Sequence, residues 1–237
     1  MITIEFWSDF MCPFCYIGEK RVKDVVKAMG LEDKVTYKMK AFELDPTTSD
    51  NPVDKAIPLM AKRRNLTIEE AERRAQYIEK LAHEVGLNYH YADMQFVNSL
   101  KAHKLVKYAQ TLKEPHKVNE LIDQLFKAVF IDGKNIADDA TLIDIALQCG
   151  FNNRDQITQA IQSTIYEPMV RQEEMELGQL GVTSVPLFII GNKGIPGVPS
   201  TESIKSILQD IVEEQKIEFI DDQNNPPISC SIDGCSI

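Results

Sequence analysis

The sequence predicts an α/β protein in which one mixed sheet is interrupted by a large all-helical insertion. Three observations carry this. An alternating strand pattern at the N-terminus runs straight into a helix, apolar residues then keep helical spacing through the middle of the chain, and a strand-like run returns only near residue 185 before a last amphipathic helix. With 237 residues, 43% hydrophobic and 26% charged, the chain has the composition of a globular protein with a sizeable core. Its net charge of −10 works against binding nucleic acid or an anionic membrane, because both repel it. Met1 leads into strand-like sequence without a basic and apolar leader, and no apolar run reaches membrane-spanning length, so a cytoplasmic protein is expected.

The elements follow in order. Ile2, Ile4 and Phe6 alternate with Thr3, Glu5 and Trp7, the period of a strand. Val22, Val25, Val26 and Met29 recur at helical spacing, and Gly30 ends that helix. Pro13 suits its first turn, where the missing N–H would have no partner. Val35, Tyr37 and Met39 mark a second strand between Lys34 and Ala41, after which Thr47 to Pro52 is turn-rich. A long helical region follows. Within it Thr67-Ile68-Glu69-Glu70 predicts a capping box for a helix running to about Val85. The next helix, Asn98 to Thr111, presents Leu100, Leu105, Val106 and Ala109 as one buried stripe. Another starts near Pro115, one takes Asp139 as its cap and stops at Gly150, and two more span about Arg154 to Gln162 and Glu167 to Leu180. Thr183 to Gly191 reads as a buried strand, Gly191 to Pro199 leaves room for an edge strand, and Thr201 to Gln215 is a helix with Ile204, Ile207, Leu208, Ile211 and Val212 inward. Asp221 to Pro227 reads as disordered. The expected organisation is a discontinuous sheet domain of residues 1–44 and 179–217, an inserted helical domain of 45–178, and a flexible tail of 218–237.

Cys12-Pro13-Phe14-Cys15 is the stretch richest in chemistry. It places two thiols one helical turn apart, where a strand gives way to a helix. Cys12 falls at the helix N-terminus, whose free N–H groups and macrodipole favour an anion such as a thiolate. The plainer readings are a structural disulfide, a metal site or two inert thiols. Zinc needs further ligands, and no second Cys-x-x-Cys follows at finger or ribbon spacing, so no metal site is expected. The odd set of cysteines (Cys12, Cys15, Cys149, Cys230 and Cys235) fits a reducing compartment. In the redox reading Cys12 attacks a disulfide and Cys15 resolves the mixed disulfide. The N–H groups of Phe14 and Cys15 are expected to donate to the Cys12 sulfur. Neither Pro13 nor Phe14 brings charge, which sets the expected potential at roughly −120 to −270 mV.

Other residues admit two readings each. Trp7, Phe10, Phe14 and Tyr16 form either an apolar rim for peptide-like substrates or ordinary core. His103 either lines the cleft or is a satisfied helix histidine, Glu43 either abuts the site after the second strand or, as the better expectation, is a surface carboxylate, and Cys149 is expected to be a small buried hydrophobe. Cys230 and Cys235 flank a turn-prone Asp-Gly. The segment between Gln215 and Cys230 spans about 20 Å on average and about 50 Å when extended. The pair is therefore an accessory dithiol able to exchange with Cys12–Cys15, or two thiols without a role, or half of a four-thiolate zinc site.

The protein resembles the DsbA-like branch of thioredoxin-fold oxidoreductases, and within it the FrnE-like proteins. The resemblance rests on the front segment from Ile4 to Gly18, on Asn98 to Leu105 and Leu125 to Phe130, and on Gly181-Val182-Thr183-Ser184-Val185-Pro186-Leu187-Phe188. It implies a thioredoxin-like sheet with inserted helices and a thiol–disulfide oxidoreductase or isomerase. It further implies a cis Val185-Pro186 peptide facing the cysteines, with the Val185 backbone open to an extended substrate. On the residues alone, Pro186 reads equally as a trans-proline opening a strand. Gly194 to Pro199 departs from the Gly-Ala-Gln more usual in the family. The expected substrate contacts are Val185, Pro186, Phe14 and Trp7. Expected partners are protein or peptide thiols and disulfides, with glutathione as a candidate reductant and no bound organic cofactor. Two alternatives stay open. One is a glutathione-dependent transferase or isomerase like the kappa-class transferases and hydroxychromene carboxylate isomerases, which typically carry serine at the first cysteine. The other is a chaperone-like or metal-holding module.

Overall fold

The computed structural model describes the backbone of residues 1–52, 54–223, 230–231 and 234–235, with side chains up to residue 214. Its centre is β1 (Ile2–Ser8), built by the alternation that buries Ile2, Ile4 and Phe6 on one face. Strand β2 (Val35–Ala41) pairs with it in parallel, Ile2 opposite Val35 and Ser8 opposite Ala41. On its other side β3 (Leu187–Ile190) runs antiparallel, and β4 (Lys193–Pro196) forms the edge, giving the order β2-β1-β3-β4. Helix α1 (Pro13–Ala28) connects β1 to β2, as a parallel pair requires.

Among the described residues seven helices lie between β2 and β3: α2 (Ala56–Arg64), α3 (Ile68–His83), α4 (Leu100–Thr111), α5 (Pro115–Phe130), α6 (Asp139–Gln148), α7 (Arg154–Gln162) and α8 (Glu167–Gln179). The sequence reading separates six of them and leaves α2 unresolved. Helix α2 has only nine residues, a proline in its first turn and no hydrogen bond from a capping residue. The capping box of α3 is formed: Glu70 N–H donates to the Thr67 hydroxyl at 3.2 Å, and Thr67 N–H to the Glu70 carboxylate at 2.8 Å. The cap of α6 is Asp138, not Asp139. An N-cap oxygen reaches the N–H three residues on, and Asp138 accepts from Thr141 N at 2.9 Å, while Asp139 turns to Lys101 at 2.9 Å. Helix α4 does not present one stripe. Leu100 is half-buried, and residues 102–109 are buried on every side because α5, α7 and α8 all pack on this helix. Helix α9 (Thr201–Gln223) continues beyond the expected end at Gln215 and packs on α1 through Ile204 and Leu208.

The main core runs from the Phe6 face of the sheet, through α1, into α4 and α5. Phe6 stacks on Phe188 at 5.7 Å, and Phe10 and Tyr16 each meet Phe126 at 4.9 Å. A small second core of Trp7, Leu177 and Leu187 fills the opposite face of the sheet. Two further strands, β5 (Cys230–Ser231) and β6 (Gly234–Cys235), pair antiparallel. The side chains of Cys230 and Cys235, and hence the accessory-dithiol reading, lie outside the described residues. No helix among the described residues is long and apolar enough to cross a membrane.

Candidate active site

The β1–α1 junction is shaped by Asp9, a residue the sequence reading missed. Its backbone carbonyl accepts the Cys12 N–H at 3.0 Å. One carboxylate oxygen accepts Met11 N–H at 3.0 Å, and the other accepts Leu44 N–H, beyond the end of β2, at 2.6 Å. This buried carboxylate therefore joins the segment that presents Cys12 to the segment leaving β2.

Cys12 is the N-cap residue of α1, and Pro13 occupies the first turn, both as expected. The expected donation from Phe14 and Cys15 N–H to the Cys12 sulfur is not made. Cys15 N–H instead closes the first turn on the Cys12 carbonyl at 3.1 Å. The Cys12 thiol turns outward and donates to the Val185 carbonyl at 3.7 Å. Cys15 lies deeper, 1% exposed against 4% for Cys12. Burial, and after it the neighbouring Cys12 sulfur, push the Cys15 thiol well above the usual thiol range, against a smaller opposite pull from Ser8.

The Val185-Pro186 peptide is cis. Pro186 packs toward Gly18 on α1, and its carbonyl accepts Gly197 N–H at 2.8 Å, tying the end of β4 back over this loop. Gly18 is needed here: a Cβ at that position would stand 2.9 Å from the ring of Phe188.

Cys12 lines a cleft of about 600 Å³. Phe14 and Val185 share its wall with Cys12, and Met60, Tyr77, Tyr91 and Phe96 face them from α2, α3 and the segment that follows. Phe14, 37% exposed, is the one aromatic of the expected rim found here. Tyr91 was not anticipated. Burial first and Cys12 second push its hydroxyl up to about 12, with Arg64 pulling the other way, so both groups act on this phenol.

Trp7 does not join the site. It is on the opposite face of β1, buried in the second core, with its indole N–H donating to the Glu173 carbonyl at 2.8 Å and Lys40 4.3 Å from the ring centre. The period-2 alternation already separates it from Phe6. Phe10 and Tyr16 are core. His103 is buried behind Asp9 rather than in the cleft, with Nε2 3.1 Å from the Phe42 carbonyl and 3.7 Å from an Asp9 oxygen. Glu43 is not a surface carboxylate: it is buried, takes a bond from Asn98 at 3.2 Å and pairs with Arg171. Strand β2 delivers it to the interior, where only a counter-charge makes burial tolerable. Cys149 is buried at the end of α6, and that burial pushes its thiol up to about 11. Among the described residues no three His, Cys, Asp or Glu side chains gather as a metal site.

Comparison with known proteins agrees with this architecture. The family described as the DSBA-like thioredoxin domain matches residues 3–209. The uncharacterized protein YwbO of Bacillus subtilis is 26% identical over 227 residues, covering 91% of this protein and 98% of its own length. The probable DsbA oxidoreductase SCO1869 of Streptomyces coelicolor superimposes with a TM-score of 0.81 at 24% identity, covering 100% of this protein and 99% of its own length. The cytosolic disulfide reductase DsbM of Pseudomonas aeruginosa, in its structure with GSH, gives 0.61 at 13% identity, covering 89% and 99%. A match over that span, on a four-stranded thioredoxin-like sheet with helices inserted between β2 and β3, makes this protein a member of the DSBA-like thioredoxin domain family.

Proposed function

We propose that the protein is a thiol–disulfide oxidoreductase working through Cys12 and Cys15. The observation that supports this most is the division between the two sulfurs: Cys12 opens onto the cleft, and Cys15 is held beneath it with a raised pKa. In the reductive direction the Cys12 thiolate attacks a substrate disulfide. The substrate S–S bond breaks, a Cys12–substrate bond forms, and the departing thiolate takes up a proton. Cys15 then loses its proton and attacks the Cys12 sulfur, which releases the second substrate thiol and leaves a Cys12–Cys15 disulfide. Two electrons pass from enzyme to substrate, and a thiol reductant must return them. The reverse sequence oxidises a dithiol.

Peptide or protein thiols and low-molecular-weight thiols are the substrates of this reading. The GSH-bound structure of DsbM supports glutathione as one of them. The Phe14 and Val185 wall supports an extended peptide held by the Val185 backbone. The odd cysteine count supports a reducing, cytoplasmic setting in which no bound organic cofactor is needed. Cys15 directly behind Cys12 favours disulfide cycling over glutathione-transferase chemistry, which has no use for a second sulfur.

The test is equilibration in glutathione buffers of graded potential, with alkylation and mass spectrometry of each cysteine. A single reversible two-electron Cys12–Cys15 transition at roughly −120 to −270 mV is expected. Cys15→Ser should accumulate a mixed disulfide on Cys12, and Cys12→Ser should abolish turnover. Cys12 that becomes glutathionylated without ever pairing with Cys15 would move the protein to the transferase-like alternative.

A further inference from the structure

We propose that the cleft in front of Cys12 selects disulfides and thiols that carry carboxylates, and that Arg64 and Arg74 are the groups that bind them. The inference rests on the oxidoreductase reading and names the substrate class of the same site.

Three arginines line the cleft, Arg63, Arg64 and Arg74, with two carboxylates, Asp9 and Asp45. Both carboxylates are occupied. The Asp9 oxygens accept Met11 and Leu44 N–H, and Asp45 accepts from Thr47 and pairs with Arg63 at 2.8 Å. Arg63 is thereby neutralised and lies over the Phe96 ring at 5.6 Å. Among the described residues neither Arg64 nor Arg74 has a carboxylate oxygen within 4.0 Å. Both line the cleft with exposed side chains.

The remaining lining is apolar, aromatic, hydroxylic or thiol, and the Asp9 carboxylate is buried and taken up by backbone N–H groups, so Arg64 and Arg74 are the exposed charged groups of the described cleft without a carboxylate oxygen within 4.0 Å. A protein of net charge −10 repels acidic molecules at long range, yet two exposed guanidiniums line the same cleft as its candidate nucleophile. A guanidinium fork takes a carboxylate with two parallel bonds, so the pair gives direction as well as attraction. Arg64 and Cys12 act on the Tyr91 hydroxyl with opposite sign, which brings the arginine within electrostatic range of the phenol that also feels the thiol. A volume of about 600 Å³ suits a short peptide or peptide-sized thiol. With its sulfur at Cys12 and its backbone along Val185, such a ligand reaches the arginine wall with a side-chain or terminal carboxylate.

The experiment uses the full-length protein and two synthetic disulfide peptides of equal length, one with glutamates and one with lysines flanking the cystine. Oxidation of the reduced protein by each peptide is followed by stopped flow and by mass spectrometry of the Cys12–Cys15 disulfide. The glutamate peptide should react about tenfold faster at low salt, and added salt should shrink the ratio. In Arg64→Gln/Arg74→Gln the ratio should collapse toward one, and in the double lysine variant it should be partly retained. A ratio near one in the wild-type protein, or an unchanged ratio in the glutamine variant, with the disulfide forming normally, overturns the proposal alone. If neither peptide oxidises the protein, the oxidoreductase reading falls, and binding still decides the charge question. Calorimetry with serine-for-cysteine analogues should then give tighter binding of the acidic peptide; equal affinities overturn the arginine assignment.

Discussion

Cys12 and Cys15 are three residues apart and chemically alike, and the fold makes them different. The first faces the cleft, and the second is enclosed by Ser8, Asp9 and Cys12 itself. A raised pKa means less thiolate at any given pH, and each unit removes about tenfold of the reactive form. In the reduced protein between pH 7 and 9, iodoacetamide should therefore label Cys12 at least about tenfold faster than Cys15. Cys15 labelling should rise only as pH climbs above the ordinary thiol range. Equal rates near neutrality, read by peptide mass spectrometry, would contradict this division of roles. The placement of the cysteine pair at the start of α1 was legible in the sequence because spacing alone puts both on one helical turn. Asp9 and Tyr91 were not, because one matters through its bond to Leu44 and the other through sharing the cleft of Cys12, which no local pattern encodes. Trp7 misled for the opposite reason: its aromatic character was read without the strand alternation that turns it to the far face.

At the scale of elements, α1 has to approach β3 closely for Cys12 to meet Val185. Gly18 permits that approach, and Phe188 is a rigid, buried ring stacked on Phe6. Gly18→Ala should cost about 1–3 kcal/mol by overpacking. It should also slow the reaction of Cys12 with a disulfide, since α1 must shift away from the Val185 loop. Gly178→Ala on α8 is the control, because its Cβ meets nothing within 4 Å. That variant should be neutral or stabilise by up to about 1 kcal/mol in urea titration. An equal loss in both variants would mean that the Phe188 contact does not govern Gly18. Elements were readable wherever period and punctuation agreed, as at the Thr67 capping box and the Pro115 start of α5. They blurred where two adjacent residues competed for one cap, as Asp138 and Asp139 do, and where a short helix such as α2 lacked a capping hydrogen bond altogether.

Across the whole molecule, the helices inserted between β2 and β3 are held to the sheet by buried charge as well as by apolar packing. Lys107 on α4 is fully buried, donates to the Met39 carbonyl on β2 at 3.1 Å, and pairs with Glu173 on α8 at 2.6 Å. Glu173 in turn accepts Ala41 N–H at 2.6 Å through its carboxylate and the Trp7 indole through its backbone. Three elements thus meet at one ion pair that sequence reading could not assemble, since its members are 66 residues apart. Burial holds the Lys107 pKa down, and the facing Glu173 carboxylate opposes that shift. Lys107→Met leaves the carboxylate without its cation and should cost about 3–5 kcal/mol. Adding Glu173→Gln, which keeps an acceptor for Ala41 N–H, should recover part of that loss. Trp7 is the sole tryptophan and rests against α8, so its fluorescence reports the docking of this helix, while far-UV circular dichroism reports all the helices. Because the sheet and the inserted helices share one core through Phe10, Tyr16 and Phe126, both signals should move to lower urea together in Lys107→Met, with an unchanged slope. A fluorescence transition that runs ahead of the dichroism would instead show α8 leaving the sheet as a separate unit, and the ion pair acting as a local latch rather than a part of one cooperative fold.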